Sequence, residues 1–333
     1  MDRIKSEAGL GGLADRARGR RLAYLFFACA VAIAGSAAAQ SYPNKSVRLI
    51  VPASPSGGLD IMARVVGHQL SPLWGQPVVV DNRHGAGIML GTEMASKAPP
   101  DGYTLLMINA NLAPNAILHN KLELVKRLTG VIKIADLPNA LSVPASLPVS
   151  SMKELIALAR SSRLSYSSAG HGTVGNICAE MLKLAIKTDI THVPYKGGGP
   201  AMTALVGGQV SMGIVSLAST MAHMKAGRVK ILGITSARRS RLAPDIPTLN
   251  ETVPGLELES WVGLLAPAGT PPQIIRTLNA QVLKAVAVPE TAQRLLDQGY
   301  DVQGSTPEEF ARLIRSDLAK YSNVIREAKI RID

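Results

Sequence analysis

The sequence predicts an α/β protein with two lobes, on three observations. The chain has 333 residues, which is enough for two domains of ordinary size. Strand patterns alternate with helical patterns along it, as expected for parallel sheets covered by helices. A strand that runs into a loop of small residues and then into a helix occurs twice, near residue 55 and again near residue 170. The repetition indicates one such unit in each lobe.

The composition is that of a globular protein with its own core. Apolar residues make up 47% and charged residues 18% of the chain, a balance that excludes wholesale disorder, collagen-like repeats and a long coiled coil. The net charge of +12 could favour nucleic acid, but the basic residues are dispersed and aromatic residues are only 4%. Their densest cluster, Arg238 to Arg241, is interpreted as a solvated face, so we expect no nucleic-acid partner.

Residues 1–39 predict a secretory signal peptide. Arg20 and Arg21 are followed by the apolar run Leu22 to Gly35 and by small residues up to Ala39, which are the three parts of a cleavable signal. A membrane anchor is the alternative, but the run is shorter than the ~20 residues that cross a bilayer. We therefore expect cleavage after Ala39 and an exported protein.

The cysteines and histidines indicate neither disulfides nor metal. Cys29 lies in the apolar run, and Cys178 is the only other cysteine, so the mature chain can form no internal disulfide. The six histidines follow no metal-binding spacing, and one thiol cannot make a thiolate cluster. We expect no metal and no cofactor.

The first lobe is predicted over residues 40–140 and 260–333. Val47 to Val51 alternates as a strand, and helical spacing begins at Ile61. Pro77 to Val80 and Tyr103 to Ile108 predict two further strands, each next to a turn signal.

The second lobe is predicted over residues 141–259 and repeats this order. Leu164 to Ser167 predicts a strand, and helical spacing begins at Ile177. Helix starts are signalled by Ser151 with Glu154, and in the C-terminal third by Thr306 with Glu309, since both pairs have the spacing of a capping box.

The two small-residue loops are the candidate ligand site. The first loop is Ser54 to Gly58 and the second is Ser168 to Thr173. A helix N-terminus can bind an anion through its exposed N–H groups and dipole, and glycine lets the ligand approach the backbone. Ordinary strand-to-helix turn chemistry is the alternative, because such turns need Gly and Ser anyway. The candidate ligand-binding residues are Ser54, Ser56, Gly57, Gly58, Ser168, Ala169, Gly170, Gly172 and Thr173.

Two patterns near these loops have structural interpretations. Asp60 stands where an N-cap belongs, so we expect it to cap the helix after the first loop. Gly170 to Gly175 matches the dinucleotide fingerprint G-x-G-x-x-G, but the acidic residue that should close the next strand is missing, because Asp189 precedes that strand. No nucleophile elbow or phosphate-binding loop occurs either, so we predict no catalytic residues.

An ordered set of motifs covers nearly the whole mature chain. It consists of Tyr42-Pro43, Val47 to Pro52, Ser56-Gly57-Gly58 with Asp60, Trp74 to Val80, Asn82-Arg83 with Gly85 to Gly87, Pro100 to Leu106, His192 to Gly197 and Leu264 to Pro271. Together these motifs resemble the Bug family of extracytoplasmic solute receptors, the TctC-type binding proteins of tripartite tricarboxylate transporters.

The resemblance implies a periplasmic-binding-protein-like fold (type II), in which two α/β lobes joined by crossing hinge strands close on a small carboxylate without catalysis. It also implies that both loops bind the ligand and that the protein, which we expect to be a monomer, delivers it to the membrane subunits of a tripartite transporter. A sensor kinase as partner is one alternative. A secreted α/β enzyme acting on a carboxylate is the other.

Overall fold

The computed structural model describes residues 42–55 and 57–331. The predicted signal peptide and Ser56 of the first loop lie outside the described residues. From Lys45 onward the chain forms one compact unit. Within the described part of the chain, no helix is both long enough and apolar enough to cross a membrane.

The described residues form strands and helices that alternate along most of the chain. The strands are β1 Val47–Val51, β2 Val78–Asn82, β3 Thr104–Asn109, β4 Leu128–Asp136, β5 Asn139–Pro144, β6 Leu164–Ser168, β7 Ile190–Pro194, β8 Met212–Ser216, β9 Val229–Ile234, β10 Trp261–Pro267 and β11 Asp301–Val302. The helices are α1 Gly58–Trp74, α2 Met89–Ser96, α3 Leu112–Leu118, α4 Leu122–Lys126, α5 Met152–Ser161, α6 Val174–Ile186, α7 Gly198–Val206, α8 Leu217–Lys225, α9 Pro272–Val286, α10 Pro289–Asp297 and α11 Pro307–Glu327.

The first sheet has six strands in the order β11-β4-β10-β3-β1-β2. Strand β1 pairs in parallel with β2 and β3, whereas β10 runs antiparallel to β3 and β4. The pairing of β1 with β2 runs from Val47 opposite Val78 to Val51 opposite Asn82. Strand β2 therefore extends two residues past its predicted end at Val80, because every residue of β1 has a partner.

The second sheet has five strands in the order β7-β6-β8-β5-β9. Strand β6 pairs in parallel with β7 and β8, and β5 runs antiparallel to β8 and β9. Both sheets thus contain three neighbouring parallel strands joined through helices, with one reversed strand beside them, and the first sheet has a second reversed strand, β11, at its edge. Since the carboxyl ends of parallel strands share one edge of a sheet, the loops after them gather at that edge.

The chain crosses from the first sheet to the second between β4 and β5 and returns between β9 and β10. The crossing segments are hydrogen-bonded to each other, because Leu137 N donates to Ser260 O at 2.7 Å. Leu258 N donates to Thr235 O at 2.8 Å and ties the return crossing to the end of β9. The expected fold class, two α/β sheets joined by crossing strands, is confirmed.

The core is continuous across both sheets. Its buried residues include Ile50 and Leu106 of the first sheet and Ile214 of the second. Helix α11 contacts β4 of the first sheet and α6 beside the second. Its Phe310 ring meets Trp261 edge-on, with 4.9 Å between ring centroids, the geometry that aromatic pairs prefer. The C-terminal helix therefore packs against both sheets at their junction and stabilises it.

Both predicted helix starts are present, with one change of partner. Thr306 and Glu309 form a complete capping box at α11. At α5, the Ser151 hydroxyl accepts from Glu154 N at 3.3 Å as predicted, but the Glu154 carboxylate accepts from Ser150 N at 2.6 Å rather than closing the box on Ser151. The helix still begins where the sequence predicts, because the Ser151 cap is intact.

Candidate functional site

The first loop follows the carboxyl end of β1 and enters α1. Ser54 and Gly58 are exposed and Gly57 is partly exposed. Gly57 is the N-cap of α1 with an extended backbone, and its N–H donates to Ser54 O at 3.3 Å. The described candidates of this loop therefore present accessible backbone at the start of a 17-residue helix.

The predicted N-cap position of Asp60 is wrong by three residues. Gly57 is the N-cap, and Asp60 lies in the first turn of α1, almost fully buried. Its carboxylate accepts from Arg64 Nε and from Asn82 Nδ2, both at 2.9 Å. Asn82 also donates to Ala53 O at 3.1 Å. Asp60 thus has a structural role, since through Asn82 it holds the first loop against the end of β2.

The second loop has its shape fixed by hydrogen bonds within itself. Gly170 and Gly172 have φ values of +128° and +69°, which favour glycine. Thr173 is the N-cap of α6, and its hydroxyl donates to Gly170 O at 2.8 Å. The Ser168 hydroxyl accepts from Gly170 N at 3.2 Å, and Asn176 Oδ1 accepts from Gly172 N at 3.0 Å.

Helix α3, which follows β3 of the first sheet, covers part of the second loop. Asn111, just before α3, accepts at Oδ1 from Val174 N at 3.2 Å. The first turn of α6, beside the second sheet, is therefore hydrogen-bonded to a residue that follows β3 of the first sheet. Gly172 is buried, and a Cβ added to it would lie 2.8 Å from the Leu118 side chain. Ala169, Gly170 and Thr173 keep accessible surface, whereas Gly172 and Ser168 support the loop from below.

A series of close contacts runs from the first loop to the second. Gly91 of α2 approaches Pro52, which lies between β1 and the first loop, and Gly87 approaches Asn115 of α3. Asn115 in turn lies against Gly172. Helices α2 and α3 therefore form a wall that joins the two candidate loops along the carboxyl edges of the sheets.

His192 is a residue of this site that the sequence reasoning missed. It lies on β7 opposite Tyr166 of β6, and the two rings stack at 4.5 Å. Its Nε2 is 2.8 Å from the Ser168 hydroxyl, and its Nδ1 is 3.5 Å from Asn176 Nδ2. No local sequence pattern indicates this contact, because it depends on the pairing of β6 with β7. That pairing places His192 two register positions from Ser168.

The surrounding hydrogen bonds assign the proton of His192. Because Asn176 Oδ1 accepts from Gly172 N, its amide nitrogen faces Tyr166 and His192. That nitrogen only donates, so Nδ1 of the ring is the acceptor and Nε2 carries the hydrogen. His192 therefore donates to Ser168, which passes a hydrogen bond to Gly170 O at 3.1 Å. In this arrangement the ring holds Ser168 in place and does not activate it as a nucleophile.

This network predicts acid destabilisation. Burial lowers the pKa of His192 to about 4, with the neighbouring charges of His171 and Lys183 acting in the same direction. The unfolded chain with a pKa near 6.5 binds a proton first, so this contribution to stability is present above that pH and is lost as the pH falls toward 4. For a half-buried ring we expect a loss of about 1–2 kcal/mol, discounted for solvent screening.

Urea unfolding at pH 7 and pH 4.5 measures this loss. In His192→Gln the difference in the free energy of unfolding between the two pH values should shrink by that amount. Substituting the exposed His68 in the same way controls for the loss of an imidazole. An unchanged step in His192→Gln would show that the buried ring does not resist protonation.

The fold and the two loops define the class of protein to which this chain belongs. Two α/β sheets joined by crossing strands, with helix N-termini at the carboxyl edge of each sheet, are the architecture of periplasmic binding proteins, and solved structures of that class superpose on this chain. The chain belongs to the tripartite tricarboxylate transporter family of receptors, whose family model matches residues 62–330.

Relatives along nearly the whole chain are of the same kind. Protein BugT of Bordetella pertussis is 32% identical over 309 residues, covering 90% of this chain and 94% of BugT. The periplasmic binding protein BugD is 28% identical with a TM-score of 0.73, over 87% of this chain and 99% of that one.

Two solved structures of similar proteins contain carboxylates. A Rhodopseudomonas palustris protein with adipate is 32% identical with a TM-score of 0.74, over 87% of this chain and 99% of that one. MatC of the same species, with bound malate, is 31% identical with a TM-score of 0.72, over 85% of this chain and 100% of that one. The family and these neighbours are binding proteins and receptors.

Proposed function

We propose that the protein is a periplasmic receptor that captures a small carboxylate between its two lobes and delivers it to a tripartite tricarboxylate-type transporter. The observation that carries the proposal is the pair of strand-to-helix loops, one on each sheet. Each loop presents a helix N-terminus at the carboxyl edge of its sheet. Family membership supports the receptor role, and the neighbours bound to adipate and malate support the ligand class.

Capture would work by closure of the lobes. In this proposal residues 40–140 and 260–333 form one lobe and residues 141–259 the other, with the two crossing segments as the hinge. A ligand that touches both loops binds the closed form more tightly than the open form and so shifts the population toward closure. The membrane partner then distinguishes the two forms, whether it is a transporter subunit or a sensor kinase.

The ligand would meet accessible backbone and hydroxyl groups at both loops. Ser54, Gly57 and Gly58 form the first half of the proposed site, together with Ser56. Ala169, Gly170 and Thr173 form the second half, and Ser168 and Gly172 keep it in shape. A carboxylate suits this set because helix N-termini attract anions and backbone N–H groups bind them directly.

We propose further that the protein performs no catalysis on its ligand. The only hydroxyl held by an imidazole among the site residues that the structure describes is Ser168, and it is buried and accepts from His192 rather than losing a proton to it. Incubating the protein with a bound carboxylate and recovering the ligand intact would support a receptor, whereas turnover would support the alternative of a secreted enzyme.

Thermal unfolding against a panel of mono-, di- and tricarboxylates, amino acids and aromatic acids tests the proposal. The protein is expressed from the full chain and purified from the periplasm, where its intact mass also shows whether residues 1–39 are removed. A ligand at a hundred times its Kd should stabilise the protein by about 2.7 kcal/mol. A shift restricted to one carboxylate class supports the proposal, and no shift with any acid, in a folded protein, contradicts it.

A further inference from the structure

One tyrosine side chain reaches the candidate site from outside both loops. Tyr300, just before β11, has only 3% of its surface exposed. Its hydroxyl reaches the first residue of α1, because a Cβ added to Gly58 would lie 2.8 Å from that oxygen. Gly58 is itself exposed. The Tyr300 hydroxyl therefore lies at the edge of the first loop, beside the N-terminus of α1.

The backbone around Tyr300 is firmly held. Its N–H donates to Leu295 O at 2.9 Å. The next residue, Asp301, accepts from Arg241 Nε at 2.9 Å, and the same guanidinium donates to Val302 O at 2.9 Å. Arg241 follows the last strand of the second sheet, whereas Asp301 pairs with β4 of the first. Tyr300 is thus fixed in place by contacts from both sheets.

The residue before it adds a second contact between the sheets. Gly299 has a φ of +85°, and a Cβ added to it would fall under 3.0 Å from the Ala218 side chain at the start of α8. The segment Gly299-Tyr300 therefore fits between the N-terminal ends of α1 and α8.

The Tyr300 hydroxyl has a hydrogen to donate and no acceptor in the described part of the chain. Residues 42–55 and 57–331 contribute no hydrogen bond to it, whereas the comparable hydroxyl of Tyr166 donates to Glu180 Oε1 at 2.6 Å. Burial raises the pKa of Tyr300 to about 12, so the hydroxyl stays protonated at neutral pH. The buried ring places this hydroxyl beside the first residue of α1, at the end of a helix that attracts anions.

We propose that the Tyr300 hydroxyl is a ligand-binding group that donates a hydrogen bond to a carboxylate held at the N-terminus of α1 and so selects ligands with an acceptor at that point. The inference rests on the proposed function and deepens it. A third donor beside the two loops favours carboxylates whose oxygens can meet the first loop and Tyr300 together. Acids of the same length without an oxygen there bind less tightly.

Tyr300→Phe tests the assignment, with Tyr321→Phe as the matched control. Tyr321 is also buried, and its hydroxyl has no partner among the described residues, but it lies in the core on α11. Isothermal titration uses malate, adipate, citrate and the most stabilising acid of the panel. Tyr300→Phe should weaken the preferred acid about tenfold or more, since hydrogen bonds to charged groups are the strong ones, and should reduce the preference among the acids. Tyr321→Phe should bind as the wild type does.

A double-mutant cycle separates contact from folding. Gly58→Ala places a Cβ against the Tyr300 hydroxyl, so its effect on affinity should be smaller in the Tyr300→Phe background than in the wild type. Wild-type affinity and selectivity in a folded Tyr300→Phe variant would overturn the inference and leave the proposed function standing. Failure of the wild type to bind any of the acids would instead overturn both.

Discussion

Gly175→Ala is expected to lower the free energy of unfolding by about 3 kcal/mol, at the upper end of the ordinary cost of overpacking. Gly175 is the second residue of α6. A Cβ added there would lie under 3.0 Å from the carbonyl oxygen of Ile214 on β8, with the Ile214 side chain close behind it. The obstructing atom is backbone in the middle of a sheet, so it cannot move aside cheaply and the helix must shift instead.

Gly199→Ala is the matched control for this substitution. Gly199 is the second residue of α7, on the same sheet, and a Cβ added to it would meet nothing within 4 Å. It should be neutral or slightly stabilising, because alanine suits a helix better than glycine. Urea unfolding measures both variants. Equal midpoints for the two would contradict the close approach of α6 to β8.

The same glycine gives part of the dinucleotide fingerprint Gly170 to Gly175 a structural explanation. In that motif the third glycine serves close packing of a helix on a strand. Gly175 does this against β8, while Gly170 and Gly172 supply the positive φ values that the second loop needs. All three glycines therefore have structural reasons that require no nucleotide.

Sequence patterns were sufficient for what depends on near neighbours. The sequence predicts Thr306 and Ser151 as helix caps because the groups that they bind are three residues away, and the alternation of strands with helices indicates two α/β lobes. One of these local predictions is wrong. The position of Asp60 before an apolar run predicts an N-cap there, yet the helix begins three residues earlier because Gly58 adopts helical geometry without an apolar pattern.

Long-range contacts could not be predicted in this way. Asn111 meets Val174 across 63 positions of the chain, and Tyr300 reaches Gly58 across most of it. Neither residue stands in a motif whose spacing carries chemistry, and a polar residue in a loop is ordinarily a solvated one. Such residues can be recognised only once the strand order has placed the carboxyl edges of the two sheets together.

Gly58→Asp is expected to weaken carboxylate binding about a hundredfold, equivalent to about 2.8 kcal/mol. The substitution puts a carboxylate at the first residue of α1, where the proposed ligand carboxylate would bind. Two like charges about 4 Å apart repel by about 4 kcal/mol at the effective dielectric of a protein surface, which is more than enough for this loss. The added charge also occupies the helix N-terminus itself, so the helix is not expected to unfold.

Two controls isolate the charge from the other effects of this substitution. Gly58→Asn has nearly the same size and the same approach to the Tyr300 hydroxyl but no charge, so it should keep most of the affinity that Gly58→Asp loses. Gln273→Asp makes the same charge change in the first turn of α9, at an exposed position outside both loops, and should bind as the wild type does.

Salt provides an independent check on the same titrations. The difference in carboxylate affinity between Gly58→Asp and Gly58→Asn comes from a charge that is partly exposed to solvent. It should therefore narrow as the ionic strength rises and the Debye length shortens. A steric difference would stay constant. If Gly58→Asp binds the carboxylate as tightly as Gly58→Asn at low salt, no anion is held at the N-terminus of α1, and the ligand must be bound by the second loop alone.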